Sequence, residues 1–314
     1  MKRIIAIGLV GGCIIGGASW WHFWYGNNTT KASLPVVTAI AKVQPTNQKN
    51  VKDVVSQTAK TEAQAKSESR KSRKQEISAL EPWIQIAKGK KLLTGKEIED
   101  VCAFLKDNQS SASIGLLAAI KNNIMNRLGA SVEAKETFLK TLEHILSDSK
   151  QPIVMRDYAA QHMLTWSDTF KEDARIAASY WQFVDVNEGS LGGTVILCLE
   201  KLHRMQRLSE EDGKRLTEKS QEVAQSQSRV DAARMSALMH LSNENAANAT
   251  DIARGILENN RSVPLALTAL NTLGKCGDKN DASLIENNGF LKDPKFQSAA
   301  QAALTQINNR NTEN

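Results

Sequence analysis

Side chains that could carry out chemistry are few in this sequence and lie far apart. The five histidines are His22, His144, His162, His203 and His240. They do not stand at equivalent positions of successive helices, which argues against a shared set of metal ligands. The four cysteines, Cys13, Cys102, Cys198 and Cys276, include no CxxC pair. This spacing argues against a zinc site and a disulfide-rich scaffold, while a single disulfide remains open.

The motifs of common catalytic sites are also missing. The sequence contains no HExxH, no P-loop, no glycine fingerprint for dinucleotides and no GxSxG. Asp157 and Glu172 could act as an acid–base pair only if two separate helices brought them together, which their spacing does not indicate. We therefore expect no catalytic residues, no metal, no cofactor, no small-molecule substrate and no enzymatic activity.

Three side chains could instead contact a partner. Arg156 and Arg234 can bind carboxylates or phosphates through the planar guanidinium group, with a solvated helix surface as the alternative. Trp166 can act as a stacking platform for sugars or bases, with packing in the core or at its edge as the alternative. We treat these three residues as candidate partner-binding residues.

Composition favours helices and divides the chain by charge. Hydrophobic residues make up 41% of the 314 residues and aromatic residues only 5%, with Ala and Leu prominent, as in helix-on-helix packing. Residues 1–96 carry 16 Lys/Arg against 5 Asp/Glu, whereas residues 97–314 carry 24 against 29. The overall net charge of +6 therefore belongs to the N-terminal part.

The first 25 residues predict a targeting or anchoring segment. Lys2 and Arg3 precede about twenty uncharged residues, enough for one bilayer-spanning helix, and aromatic residues gather at its far end. The positive-inside rule then predicts a cytoplasmic N-terminus and a body outside the cytoplasm, which is the periplasm in a bacterium. Cleavage after Ala18 with secretion, or lipidation at Cys13, are the alternatives.

Residues 26–79 read as a basic, low-complexity linker. Gln, Lys, Ser, Thr, Ala and Asn dominate it, so it has little apolar surface to bury. Its cluster of Arg70, Lys71, Arg73 and Lys74 could touch anionic lipid or nucleic acid, or could simply be solvated. No aromatic residues that could stack on bases lie within this cluster.

Residues 80–309 carry repeated helix signals, and 310–314 read as a disordered tail. Capping boxes at Thr94–Glu97 and Thr169–Glu172 and the Asp293–Pro294 pair predict helix starts. Gly274 and Gly277 predict a left-handed helix exit. No strand alternation is clear, and the ambiguous segment "GTVILCL" continues with helical periodicity into "EKLHRM".

An Ala-Leu-like pair recurs along this region at intervals of 32 to 44 residues. The second members of these pairs are Ile120, Leu164, Leu199, Leu238, Leu270 and Leu304. Another amphipathic segment lies between each two of them. A pair of helices repeated at this period predicts an α-solenoid of about five to six antiparallel helix pairs, because one pair cannot cover its own apolar face.

Several segments resemble the second helices of HEAT repeats: "DPKFQSAAQAALTQI", "SVPLALTALNTLGKCGD", "RVDAARMSALMHL" and "PIVMRDYAAQHML". The resemblance covers about residues 97–309 and departs at Gly192–Gly193, at Ser167 and in the polar segment "LTEKSQEVAQSQSR". It implies that the second helices line a concave surface, which members of this family mostly use to bind proteins.

These observations predict a membrane-tethered scaffold outside the cytoplasm that binds another protein on the concave face of the solenoid. The alternative is a polyanion or nucleic-acid binder that uses the basic linker and the solenoid arginines. The net charge of −5 in residues 97–314 disfavours nucleic acid as the partner.

Overall fold

The computed structural model describes residues 77–108, 114–131, 133–167, 174–259 and 262–313. They belong to one unit of the chain, Glu68–Asn314. Every regular element in these residues is an α-helix and no strand occurs among them, so the predicted all-α class is confirmed. The predicted anchor at 1–25 and nearly all of the predicted linker at 26–79 lie outside the described residues.

Thirteen helices are present in the described residues, and after the first they come in pairs. Residues 77–88 form α1. The first helices of the pairs are α2 (Gly95–Lys106), α4 (Lys135–Ser147), α6 (Arg175–Trp181), α8 (Glu210–Gln225), α10 (Ala249–Asn259) and α12 (Lys279–Asn287). The second helices are α3 (Ile114–Gly129), α5 (Ile153–Thr165), α7 (Leu191–Arg204), α9 (Asp231–Asn243), α11 (Val263–Cys276) and α13 (Gln297–Glu313).

The second helices pack side by side in chain order. Each of α3, α5, α7, α9 and α11 contacts the second helix that follows it, and every first helix contacts the second helix of its own pair. The first helices contact one another less regularly, at α2 with α4 and at α8 with α10. This order of contacts between neighbours is consistent with an α-solenoid, in which each pair is buried by the next one.

The six recurring apolar positions fall in six different second helices. Ile120, Leu199, Leu238 and Leu270 are buried, whereas Leu164 in α5 and Leu304 in α13 are only partly buried. The segment "GTVILCL", whose assignment was ambiguous, lies within α7 as predicted. Helix α13 continues to Glu313, beyond the predicted end of the repeat region at residue 309.

The helix start at Thr94 follows the predicted capping chemistry. Thr94 and Glu97 form a capping box before α2, with the Thr94 backbone N–H donating to Glu97 Oε2 at 2.7 Å. The predicted box at Thr169–Glu172 lies outside the described residues. The Asp293–Pro294 pair does not start a helix: it stands in the turn before α13, which begins at Gln297, and the Asp293 carbonyl accepts the Gln297 N–H at 2.9 Å.

The predicted left-handed exit from α11 is wrong. Gly277 caps α11 with extended backbone at a φ of −76°, and Gly274 lies inside the helix. Close packing explains both glycines. A Cβ atom on Gly277 would lie 2.5 Å from the Leu273 carbonyl oxygen and 2.7 Å from Asp281 Oδ2.

Glycines also let second helices approach each other closely. A Cβ atom at Gly193 in α7 would lie 2.9 Å from the Ala232 carbonyl oxygen of α9. At Gly274 in α11 it would lie 2.9 Å from Ala303 Cα of α13. Both obstacles are backbone atoms, which cannot rotate away as a flexible side chain could. The close approach of α7 to α9 explains why glycine stands where the repeat pattern predicts a larger residue.

Replacing Gly274 by Ala should therefore lower the free energy of unfolding by about 1–2 kcal/mol, because α13 has to shift to admit the methyl group. Gly255→Ala is the matched control, since a Cβ atom at this position in α10 has nothing within 4 Å. It should stabilise the protein by about 0.5–1 kcal/mol through helix propensity. Chemical denaturation of the full-length chain measures both, and equal effects of the two substitutions would contradict the close-packing explanation.

Cationic side chains on second helices close the carboxyl ends of other helices. In α3, Lys121 Nζ donates to the Leu105 carbonyl at 3.1 Å and also to the Asp107 carbonyl at the end of α2. Arg310 in α13 donates to the Gly274 carbonyl at 2.6 Å and the Gly277 carbonyl at 2.7 Å. The last carbonyl groups of an α-helix have no N–H partner further along that helix, so these cations bind them and complement the helix dipole.

A buried histidine joins α5 to α3. His162 Nε2 lies 2.9 Å from Asn122 Oδ1, and burial lowers the pKa of His162 to about 4. The folded protein therefore holds His162 neutral, whereas in the unfolded chain the imidazole takes up a proton near its ordinary pKa of 6.5. The stability that this histidine contributes is fully present above pH 6.5 and is lost as the pH falls towards 4.

We expect His162→Gln to weaken the acid sensitivity of the fold. Between pH 6.5 and pH 4 the wild type should lose about 2–3 kcal/mol more free energy of unfolding than the variant does. Denaturant titrations of the full-length chain at several pH values measure this difference. His144→Gln is the control, because His144 is exposed on α4. Parallel pH curves for the wild type and His162→Gln would contradict the assignment.

Candidate protein-docking surface

Helices α7, α9 and α11 are buried around most of their circumference and keep a narrow stripe open to solvent, whereas much of the described length of α13 is exposed. On α7, α9 and α11 the stripe residues recur every three or four positions, as one face of a helix requires. We call them the second-helix face: Leu197, Lys201 and Arg204 on α7; Met235, Met239 and Asn243 on α9; and Leu267, Asn271 and Lys275 on α11. Because the three helices pack side by side, their stripes are adjacent.

One half of the second-helix face is apolar. Leu197, Met235, Met239 and Leu267 are all partly exposed, and each lies among the earlier positions of the stripe on its helix. Apolar side chains grouped on a surface are typical of protein contacts. Methionine suits such a surface particularly well, because its flexible thioether adapts to the shape of a partner.

The other half is polar and is held in place by contacts across three helices. The buried Glu200 carboxylate accepts a hydrogen bond from Asn243 Nδ2 at 2.7 Å and lies 3.9 Å from Arg204 Nη1. Asn243 Oδ1 in turn accepts a hydrogen bond from Lys275 Nζ at 2.8 Å. These contacts link the carboxyl ends of α7, α9 and α11, and the hydrogen bond to Asn243 positions the exposed ammonium of Lys275.

Glu200 and His240 are the buried titratable groups beneath this polar half. Burial raises the pKa of Glu200, and burial lowers the pKa of His240 to about 4. His240 Nδ1 lies 3.9 Å from Glu200 Oε2, which is too long for a hydrogen bond. The pair therefore consists of a carboxyl group next to a neutral imidazole.

The exposed charges of the second helices are almost all positive. Among the side chains that the structure describes on these helices, Asp231 is the only carboxylate that is not buried. It stands at the first position of α9. Asp231 and Asn243 occupy opposite ends of α9, about 18 Å apart along the helix axis. Many exposed carboxylates lie instead on the first helices, as Glu210, Glu211, Glu218 and Glu222 do on α8.

The candidate residues Arg156 and Arg234 are each only 5% exposed and occupy equivalent positions. Arg156 Nε donates to the Leu146 carbonyl at 2.9 Å, and Arg234 Nε donates to the Ala224 carbonyl at 3.2 Å. Both carbonyls lie near the end of the preceding first helix. Their role in partner binding stays a prediction, but both guanidinium groups already close a helix end inside the fold.

Trp166, the third candidate, lies just past the end of α5 and is 2% exposed. Its ring packs edge-on against Phe138, with centroids 5.7 Å apart, and the Lys135 ammonium lies 5.9 Å from the ring centroid. The structure therefore places Trp166 within the packing between α4 and α5, and contact with a partner stays a prediction.

The residues of the second-helix face were not singled out by the sequence pattern. The available signal in the sequence was the helical spacing of apolar and polar residues within each second helix. That signal shows which residues share a stripe, but only the packing of α7, α9 and α11 shows that three stripes form one surface.

Other parts of the described structure are weaker candidates for a functional site. An open groove of about 480 Å³ lies between the end of α8, the start of α9 and the side of α10, with Arg234, Asp231, Asp251 and Ile256 among its walls. In the described residues no group of three His, Cys, Asp or Glu is arranged to hold a metal ion. Three cysteines, Cys102, Cys198 and Cys276, are free thiols.

Comparison with known proteins gives no family assignment, because no protein-family model matches the chain and no curated protein matches its sequence. Within the described residues no helix is both long and apolar enough to cross a membrane. The predicted anchor lies outside those residues.

We expect Arg234→Met to lower the free energy of unfolding by about 2–3 kcal/mol, because the Ala224 carbonyl loses its donor in a buried place. Lys214→Met on the exposed surface of α8 is the control and should change the stability by less than about 0.5 kcal/mol. Chemical denaturation of the full-length chain measures both variants. Similar stabilities would show that Arg234 does not hold the end of α8.

Proposed function

We propose that this protein is a membrane-tethered scaffold that binds a partner protein through the second-helix face of a HEAT-like α-solenoid. The observation that carries the proposal is the set of partly exposed apolar side chains, Leu197, Met235, Met239 and Leu267, which extends over three adjacent helices. A rigid apolar surface with a charged margin is typical of protein interfaces, in which Met and Arg are enriched.

Internal repetition supports the HEAT-like class. Arg156 and Arg234 stand at the fourth position of their helices, each after a cap residue with extended backbone, Pro152 and Val230. Each arginine bonds a carbonyl ten residues earlier in the chain. The same contact at the same place in two helix pairs indicates a repeated structural unit. This contact also aligns Ala160 of α5 with Leu238 of α9. The residue of α5 that corresponds to Leu238 is therefore Ala160, one helical turn before the predicted position Leu164.

The membrane tether is supported by the sequence alone. Two cationic residues, about twenty uncharged residues and a cluster of aromatic residues favour a retained anchor with the helical body outside the cytoplasm. A mass measurement of the mature N-terminus distinguishes an intact chain from cleavage after Ala18 and from lipidation at Cys13.

The scaffold function predicts that Met239→Asp or Leu267→Asp lowers the yield of a cross-linked partner by about tenfold, because a buried carboxylate disrupts the apolar contact. The measurement is cross-linking in intact cells that express the tagged full-length chain, followed by quantitative mass spectrometry. Thermal unfolding confirms that the variants are folded.

Leu92→Asp provides the matched control, because Leu92 is 70% exposed in the segment between α1 and α2, away from the second-helix face. Its yield of partner should remain within about twofold of the wild type. Equal yields from Met239→Asp, Leu267→Asp and the wild type would overturn the proposed function.

A further inference from the structure

We propose that the partner presents an acidic segment, whose carboxylates bind Arg204, Lys275 and Lys201 while its apolar side chains cover Met239 and Leu267. This inference rests on the proposed function and names the chemistry of the partner. The three cations lie at the carboxyl ends of α7 and α11, directly beside the apolar half of the second-helix face.

Lys275 is held in place by a neutral group, the side-chain amide of Asn243. Its ammonium donates to Asn243 Oδ1 at 2.8 Å, while the Asn243 amide nitrogen donates to Glu200. Asn243 is therefore oriented from both sides and presents only its oxygen to Lys275. The positive charge of Lys275 is positioned by this contact but is not neutralised by it.

Two carboxylates of the described residues, those of Glu200 and Glu244, oppose the charge of these cations. Arg204 pairs with Glu200, but the Glu200 side chain is only 6% exposed and its oxygen lies 3.9 Å away. Glu244, exposed in the turn after α9, is close enough for its charge to raise the pKa of Glu200. One buried and one exposed carboxylate leave a positive excess over Lys201, Arg204 and Lys275.

Partner binding would also desolvate the cations of the second-helix face. A partner that covers Met239 and Leu267 also takes Arg204 and Lys275 out of water, because Lys275 lies on the stripe of Leu267 and Arg204 lies on the stripe of the neighbouring helix α7. Covering a cation without a counter-charge is strongly unfavourable, so a neutral or basic surface is rejected and an acidic one is accepted. The cations thus decide which apolar segment binds.

Zero-length cross-linking with a carbodiimide tests this directly. The reagent activates a carboxylate, and an amide bond forms only with a lysine amine in contact with it. In cells that express the full-length chain, we expect cross-linked peptides that join Lys275 or Lys201 to Asp or Glu of the partner. An amine-to-amine cross-linker with a spacer, used in parallel, reports docking whatever the charge of the partner.

Charge variants make the test quantitative. Lys201→Glu/Lys275→Glu should lower the partner yield with the spacer cross-linker by about tenfold. Lys275→Arg should keep the yield within about twofold, because the positive charge is retained, while it removes the carbodiimide product at position 275. Lys214→Glu on the first helix α8 is the control for a charge reversal elsewhere and should also keep the yield within about twofold.

Two outcomes would overturn the inference. In one, the spacer cross-linker captures a partner that depends on Leu267 but not on Lys201 or Lys275, and the carbodiimide yields no product at these lysines. The proposed function would then stand without the acidic segment. In the other, nuclease treatment abolishes capture, which would identify a nucleic acid as the bound anion.

Discussion

Burial of the second helices on several sides is the constraint on which the rest of this structure depends. In α7 every residue from Leu191 to Ile196 is buried, so one first helix could not cover this helix alone. Helices α5, α6, α8 and α9 all contact α7 and together enclose it. Where two second helices meet most closely, Gly193 and Gly274 remove the side chain that would hold them apart.

This packing buries the ends of helices, and with them backbone carbonyl groups that need a hydrogen-bond donor. The carbonyl groups at the ends of α2, α4 and α8 lack partners within their own helices and are covered by neighbouring elements. Lys121, Arg156 and Arg234 reach them from the second helices. Long cationic side chains such as Lys121, Arg156 and Arg234 therefore serve as internal caps, whereas Lys201, Arg204 and Lys275 remain exposed to solvent.

The same packing separates two kinds of surface. The first helices carry many of the exposed carboxylates, whereas the stripes of α7, α9 and α11 combine Met239, Leu267 and Leu197 with Lys201, Arg204 and Lys275. Glu200 stays beneath them and aligns the three helix ends through Asn243. The exposed surface of the second helices is thus built from side chains that the core does not need, on a rigid framework that the core supplies.

The sequence by itself determined the all-α class, the pairing of helices and the six second helices, because helical periodicity and capping are encoded within a few residues. Only the tertiary structure decided the environment of individual side chains. Arg156 and Arg234 read as exposed candidates because a long cationic side chain looks the same in a sequence whether it meets water or a carbonyl group ten residues away. The approach of α13 fixed the role of Gly274, and the alignment of three helices brought Lys201, Asn243 and Lys275 onto one surface. Those arrangements depend on contacts between residues far apart in the chain, such as Asn243 with Lys275 at a separation of 32 residues and with Glu200 at 43, which the local pattern does not contain.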